Sequence, residues 1–337
     1  MSGNFNTKLN KQCIVINRSM PYLKGKVCLV TGASRGIGRG TALQLAMNGA
    51  FCYITGRSLE KLKLVEDEAK NRGACGKIIA VQCDHSNDTE IQKVFDLIDE
   101  ENDGKLDLLV NNAYSAVSWI MDNAKQCFWD HQVDAWDQIN KVGLRNHFIC
   151  AVYASRMMVK RRKGLIVNIS SAGGILYIET PAYGIGKTAK DRMAKDCGMD
   201  LEKYNVAFVS VWPGPVRTEL INAELALKTS SLTWLFEHGE TTEFTGKCIA
   251  SLLLDPKIMK KSGQVLLSSD IAEEFGLKDV DEKHPVSIRS VKGMLGGSGA
   301  LWIADYIPSF IKLPKWLFFI LGSLAKTPVK KDASKYA

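Results

Sequence analysis

Two side chains one helical turn apart offer the clearest chemistry in this chain. Tyr183-Gly-Ile-Gly-Lys187 sets a phenol and an ammonium four residues apart, on one face of any helix that carries them. A phenol with a pKa of ~10 is a poor base at neutral pH, but a neighbouring cation favours its phenolate. A tyrosine so placed can exchange a proton with an oxygen while the bonding changes at the attached carbon. The spacing alone is weak, because Tyr22 and Lys26 repeat it beside Pro21 and Gly25, where no site is expected.

A second motif gives the pair something to work on. Thr31-Gly32-Ala33-Ser34-Arg35-Gly36-Ile37-Gly38 follows a short apolar run and opens a helical pattern. Glycines there let the backbone turn tightly and approach a pyrophosphate, whose charge is met by free N–H groups and the helix dipole. The spacing is Gly-x-x-x-Gly-x-Gly rather than the commoner G-x-G-x-x-G, and an ordinary βα turn could use the same residues. Position at the first βα turn favours the phosphate reading. At the end of the next strand, where NAD enzymes place a carboxylate for the ribose 2′-OH, stands Gly56-Arg57. An acid there would repel a 2′-phosphate, whereas a guanidinium forks onto one, and Arg35 supplies a second cation. NADP(H) is therefore preferred, with NAD(H) the other cofactor to consider and a solvated Arg57 the bland alternative.

These residues need a scaffold, and the pattern supplies it. Short β-branched runs at 27–31, 51–55, 77–83, 106–112, 165–170, 206–212 and 264–267 alternate with helical stretches from Gly36, from Leu59 to Arg72, from Asp88, from about Asp134 to Lys160, and after Pro181. Such alternation predicts an α/β fold, a Rossmann-like doubly wound parallel sheet in a single domain. The expected organisation is an N-terminal extension (1–24), the Rossmann domain (25–292) with a substrate lid (219–245), and an apolar, basic C-terminal tail (293–337). Gly293 to Gly299 reads as a flexible link between body and tail.

The order of the motifs makes the pattern specific. The glycine loop, Asn111-Asn112-Ala113, Ser170-Ser171, Tyr183/Lys187 and Pro213-Gly214-Pro215-Val216-Arg217-Thr218 fall at the carboxyl ends of successive strands, where doubly wound sheets bind ligands. In this the chain resembles the short-chain dehydrogenase/reductase family over roughly residues 25 to 270. The resemblance implies that Ser171 holds a substrate carbonyl, Tyr183 is the acid/base, and Lys187 holds the nicotinamide ribose and depresses the tyrosine pKa. It implies a cofactor site made of Gly32, Ser34, Arg35, Gly36, Ile37, Gly38, Arg57, Asp84 (at the adenine), Asn111, Ala113, Tyr183, Lys187, Pro213, Val216 and Thr218. Ser170 rivals Ser171, because the stretch to Tyr183 is one residue shorter than usual in the family.

Two departures stand out. The family's fourth catalytic residue, an Asn that supports a water relay to the lysine, aligns with Gly143. The relay is expected to survive through the Gly143 carbonyl and Asn140, three residues earlier on the same helix face. Tyr114 replaces the glycine usual after Asn-Asn-Ala and crowds the crevice.

Composition sets the remaining bounds. The chain of 337 residues carries a formal charge of +8, yet residues 1–26 and 312–337 each carry +5, so the body between them has no basic excess and a duplex-binding face is not expected. Nine Cys without a C-x-x-C pair, and five His (85, 131, 147, 238, 284) without ligand spacing, suggest reduced thiols and no metal. No secretory signal is read at the N-terminus. Residues 219–240 alternate apolar helix with polar breaks, as a lid would, and with the aromatic loop around Trp119, Phe128 and Trp129 favour a lipophilic carbonyl or alcohol substrate of steroid, retinoid or xenobiotic type. Equally, Trp234, Leu235 and Phe236 could simply pack on the body. From Leu301 to Leu324 the tail is aromatic but interrupted by Asp305, Pro308, Lys312, Pro314 and Lys315, too broken to span a bilayer. With Lys326, Lys330, Lys331 and Lys335 behind it, the tail suits peripheral contact of residues 300–335 with an anionic leaflet. Folding back on the body, or sealing a homo-oligomer, is the other reading. The resemblance points to the cytosolic face of the endoplasmic reticulum membrane, with the cytosol as alternative. A non-catalytic NADP(H)-binding protein and a membrane-associated scaffold are the competing functions.

Overall fold

Period-two alternation decides which way each strand residue faces. In β1 (Val27–Val30), Cys28 and Val30 enter one apolar cluster while Val27 and Leu29 enter the cluster on the opposite face. The structure, a computed structural model, describes residues 22–123, 125–219, 221 and 231–325. After β1 come α1 (Gly36–Met47), β2 (Phe51–Gly56), α2 (Leu59–Asn71), β3 (Lys77–Gln82), α3 (Asp88–Glu101) and β4 (Leu108–Asn111). They are followed by α4 (Val117–Asn123), α5 (Ala135–Asn140), α6 (Asn146–Arg161), β5 (Gly164–Ile169), α7 (Pro181–Leu201) and β6 (Val206–Trp212). The remainder comprises α8 (Ser231–Glu237), α9 (Phe244–Leu254), β7 (Val265–Leu267), α10 (Ser268–Phe275), α11 (Val291–Ser298), α12 (Leu301–Ala304) and α13 (Lys315–Leu324).

All seven strands pair in parallel, in the order β3-β2-β1-β4-β5-β6-β7. A strand buried on both faces reads as a continuous apolar run, and β6 is one: all seven of its residues are buried. The order reverses between β1 and β4, which opens a crevice at their carboxyl ends. The single-domain, doubly wound α/β expectation holds.

Two local expectations fail. The helical stretch from Asp134 to Lys160 breaks: Val142 and Gly143 have non-helical angles, with Gly143 at φ 148°, so α5 and α6 are separate helices. The link at Gly293–Gly299 lies instead largely within α11. Its first turn is capped by Ser290 Oγ, which accepts from Gly293 N at 2.9 Å, and Gly296 is bare because the Trp234 ring occupies the space a side chain would need. Glycine there serves close packing rather than flexibility. Through this contact, and through Trp234 Nε1 donating to Asp305 at 3.3 Å, α8 packs on the C-terminal segment. The centre of the expected lid, residues 222–230, lies outside the described residues, as do most of the N-terminal extension and Lys326, Lys330, Lys331 and Lys335.

The tail folds back along one face. Phe319 packs on Trp212 with ring centroids 5.1 Å apart, Phe318 is buried, and Gly322 sits against Ile175. Its other face, including Trp316, Leu321 and Leu324, is exposed. Among the described residues no helix is long and apolar enough to cross a membrane.

Candidate active site

The crevice is stitched together by one threonine and one asparagine. Thr31 Oγ1 accepts the backbone N–H groups of Asn112 and Ala113, both at 3.0 Å, while Asn112 Nδ2 donates to the carbonyls of Thr31 and Gly32 at 2.9 Å. These bonds lock the end of β1 against the end of β4. Gly32, at φ 67°, lies so close to the end of β4 that a Cβ there would be 2.6 Å from Ala113 Cα. Gly38 is as tightly held, against the Gly32 carbonyl and Asn112. Sequence reasoning saw Asn112 only as part of a motif; its role is to brace the glycine loop.

The start of α1 accepts an anion. Gly36 N donates to the Glu219 carboxylate, at 3.1 Å to Oε2, so a carboxylate sits at the helix N-terminus where the dipole and free N–H groups favour negative charge. With the bare backbone of Gly32 and Gly38 behind it, this end of the crevice fits a dinucleotide pyrophosphate. Ser34 is part-exposed and Arg35 exposed beside it, while Ile37 packs on the core. Arg57 is exposed after β2, its carbonyl accepting from Gln82 Nε2 at 2.9 Å. Neither Arg35 nor Arg57 is in an ion pair among the described residues. Asp84 accepts from Ser86 N at 2.9 Å, a bond that, with Arg57 nearby, holds its carboxyl below the usual range.

Asn111 lies at the end of β4, beneath the crevice. It is fully buried, and its Nδ2 donates to the His147 carbonyl and to Asn168 Oδ1, both at 3.0 Å, so at the crevice it can offer only main chain. His147, also fully buried, is paired through Nε2 with the Ala113 carbonyl at 2.9 Å, and burial holds its pKa well below the usual value.

The two serines after β5 part ways. Ser170 is buried and donates to the Lys187 carbonyl at 3.1 Å, whereas Ser171 is part-exposed and accepts from Gly173 N at 3.1 Å. Gly173 also touches the Tyr183 ring, leaving no room for a Cβ. Ser171 and Tyr183 thus flank one glycine, while Ser170 serves the interior. α7 begins at Pro181 with Thr180 as its cap, Oγ1 accepting from Tyr183 N at 3.3 Å. One turn on, Lys187 Nζ lies 5.2 Å from the Tyr183 ring centroid and 5.1 Å from that of Tyr114. The predicted phenol and ammonium do meet.

Gly143 and Tyr114 explain each other. The Tyr114 ring fills the space a side chain at 143 would occupy, with Cε2 2.7 Å from the position of a Cβ. The relay expected through Gly143 and Asn140 is not formed as a shared helix face, because the helix breaks between them. Asn140 turns to α7 instead, donating to the Ala182 carbonyl at 3.2 Å.

Past β6, Pro213-Gly214 is held by a residue the sequence did not single out. Glu240, 1% exposed, accepts from Gly214 N at 2.7 Å and from the hydroxyls of Thr245 and Ser268. Its backbone pairs with Pro215 and Arg217, fixing Val216, which is buried. Thr218 Oγ1 accepts from Ile221 N at 3.3 Å. Among the described residues no His, Cys, Asp and Glu cluster could hold a metal ion.

The sequence, compared with known proteins, matches the short chain dehydrogenase family over residues 26–227. The chain belongs to this family. Human dehydrogenase/reductase SDR family member 1 is 44% identical over 309 residues, spanning 89% of this chain and 98% of that protein. The NADP-dependent (R)-specific alcohol dehydrogenase of Lentilactobacillus kefiri is 32% identical over 67% of this chain and 89% of its own length. The crystal structure of a short-chain type dehydrogenase/reductase from Mycobacterium marinum superposes with a TM-score of 0.62 at 25% identity, covering 73% of this chain and 94% of that one.

Two outcomes follow for this family member. Burial pushes the Glu240 carboxyl up to about 7, against 4.5 for an ordinary glutamate. The folded state therefore holds a proton that the unfolded chain has released, and this stabilisation, full below pH ~4.5, is lost as pH rises through 7. Glu240→Gln should gain on the order of 2–3 kcal/mol relative to wild type between pH 5 and pH 8 in urea unfolding. Parallel pH curves for the two proteins would contradict the assignment. Glu219→Gln removes the charge that occupies the α1 N-terminus, and dinucleotide affinity measured calorimetrically should rise several-fold; an unchanged Kd would show that the contact costs nothing to displace.

Proposed function

We propose that this protein is an NADP(H)-dependent oxidoreductase that interconverts carbonyl and hydroxyl groups on lipophilic substrates. The observation that carries this reading is the convergence of Ser171, Tyr183 and Lys187 at the carboxyl edge of the sheet, with the ammonium 5.2 Å from the phenol ring. Bound nicotinamide supplies or accepts the hydride. In carbonyl reduction Ser171 donates a hydrogen bond to the substrate oxygen and Tyr183 gives that oxygen its proton. Lys187 holds the nicotinamide ribose and, by its charge, favours the phenolate left behind. Gly32, Ser34, Gly36, Ile37 and Gly38 cradle the pyrophosphate, Asp84 meets the adenine, and Pro213, Val216 and Thr218 receive the carboxamide, with Asn111 and Ala113 as the crevice wall. Arg57 and Arg35, exposed and outside any ion pair described, suit a 2′-phosphate. The NADP dependence in the name of the Lentilactobacillus relative favours the same cofactor.

The tail's open face supports contact with an anionic membrane surface, of the kind the cytosolic side of the endoplasmic reticulum presents. Trp302 and Phe310 are each 78% exposed, and Tyr306, Trp316 and Leu324 stand out with them.

NADPH absorbance followed with 9,10-phenanthrenequinone, a steroid ketone and retinaldehyde tests the reaction. Turnover should appear with at least one of these, fall by roughly 10²–10⁴ in Tyr183→Phe, and shift toward NADH in Arg57→Asp. Tight NADPH binding without turnover on any carbonyl would make the protein a cofactor-binding module instead. For the surface, a Trp302→Ser, Phe310→Ser, Trp316→Ser variant should lose most co-sedimentation with phosphatidylserine vesicles; equal sedimentation of both proteins would refute membrane contact.

A further inference from the structure

A second lysine is buried beside the first. Lys190 lies on the same side of α7 as Lys187, is 2% exposed, and donates from Nζ to the Ile169 carbonyl at 2.7 Å. Its Nζ and that of Lys187 approach the same Tyr114 ring, at 5.9 and 5.1 Å from the centroid. The groups facing it come from four elements. β5 offers the Ile169 carbonyl and the Asn168 amide, which donates to the Lys190 carbonyl at 3.2 Å. The loop after β4 brings the Tyr114 ring, 5.9 Å from Nζ. α6 brings His147, which burial keeps neutral. α7 itself contributes Lys187 and Asp191, whose carboxylate already accepts from Ser210 Oγ at 2.5 Å and Trp212 Nε1 at 3.0 Å.

Two lysines buried beside one ring disfavour both being charged, since each ammonium raises the cost of the other in so dry a place. Burial and the charge of Lys187 push Lys190 well below the ordinary lysine range. Lys187, by contrast, has its charge bracketed by two aromatic rings, Tyr114 and Tyr183, at 5.1 and 5.2 Å. Tyr114 reaches this position only because residue 143 is glycine.

We propose that Lys190 is a positioning residue for Lys187: its amine lone pair accepts an N–H of the Lys187 ammonium, one of its own N–H groups goes to the Ile169 carbonyl, and the Tyr114 ring closes the far side. This arrangement takes up the support that other family members are expected to draw from an Asn at position 143. It rests on the proposed use of Tyr183 and Lys187, and its test is separable from theirs.

Full-length protein labelled with [ε-15N]lysine and saturated with NADP+ should show one free-amine resonance at pH 7.5 that disappears in Lys190→Met. A spectrum in which every lysine resonates as an ammonium overturns the proposal. With NADPH and 9,10-phenanthrenequinone, Lys190→Met should move the alkaline limb of the kcat profile down by about one pH unit, since the ammonium loses its acceptor, while KM for the quinone changes less than about twofold. Lys190→Gln, whose amide can accept and donate, should bring the limb back toward wild type. A limb that stays in place in Lys190→Met refutes the positioning role. Absent turnover with a free-amine Lys190 supports this assignment and defeats the reaction; normal turnover with a charged Lys190 does the reverse.

Discussion

Lys187 is only 9% exposed, and burying an ammonium is costly unless the surroundings replace the lost water. Here the replacements are two aromatic rings, Tyr183 from the same helix and Tyr114 from the loop after β4, with the proposed Lys190 amine beside them. None of these is useful unless α7 is held at a fixed depth against the sheet. Ser170 does part of this by donating to the Lys187 carbonyl, and Asn168 by donating to the Lys190 carbonyl. Asn168 at the end of β5 and Ser170 just after it thus serve the interior, and Ser171 is the one of the two serines left part-exposed. A change at the interior bonds would be felt as misplacement of charge before it was felt as loss of fold.

The dinucleotide side is built by a different economy, backbone approach. Gly32 and Gly38 bring β1, the start of α1 and the end of β4 closer than any side chain would permit, and Asn112 satisfies the carbonyls that this exposes. An uncovered helix N-terminus in such a cleft attracts whatever anion can reach it, and Glu219 is the one within reach. Glu219 directly follows the turn that carries Val216 and Thr218, and Glu240 holds that turn from beneath. The N-terminus of α1 and the turn from Pro213 to Thr218 are therefore mechanically linked through a few residues.

Much of this was legible in the sequence, and the boundary follows physical range. Strands, helix starts and the glycine loop depend on neighbours within a few residues, so periodicity and turn chemistry locate them: α2 was expected from Leu59 to Arg72 and runs Leu59–Asn71. The Tyr183/Lys187 pair is also local, one helical turn. What escaped depends on contacts between distant segments. The break at Gly143 reflects a tyrosine twenty-nine residues earlier, and the helix through Gly296 reflects a tryptophan from α8. Lys190 reads as one more surface lysine in a helix, and Glu240 as one more acid in the stretch expected as a lid; nothing near either announces burial. Tyr114 was noticed because it breaks a motif, and Gly143 because it breaks another. That two departures from one family pattern touch each other is the signal that could have linked them.

The C-terminal segment shows the same coupling at larger scale. α13 lays Phe319 on Trp212 and Gly322 on Ile175, the first of these body residues preceding the Pro213-Gly214 turn and the second following the serines, while Asp305 receives Trp234 from α8. Lys312 and Arg289 add ion pairs to Glu273 and Asp270 on α10. One face of the segment is therefore part of the body's packing next to the substrate side, and only the other face is free to meet a surface. Folding back and touching a membrane are not rival uses of the tail, since they draw on opposite faces. Truncation would remove both at once and expose Trp212, which is why surface contact has to be separated from packing by changing only the outward residues. Whatever meets that outer face is separated only by α13 from Trp212 and Ile175, which flank the Pro213-Gly214 turn and the serine loop.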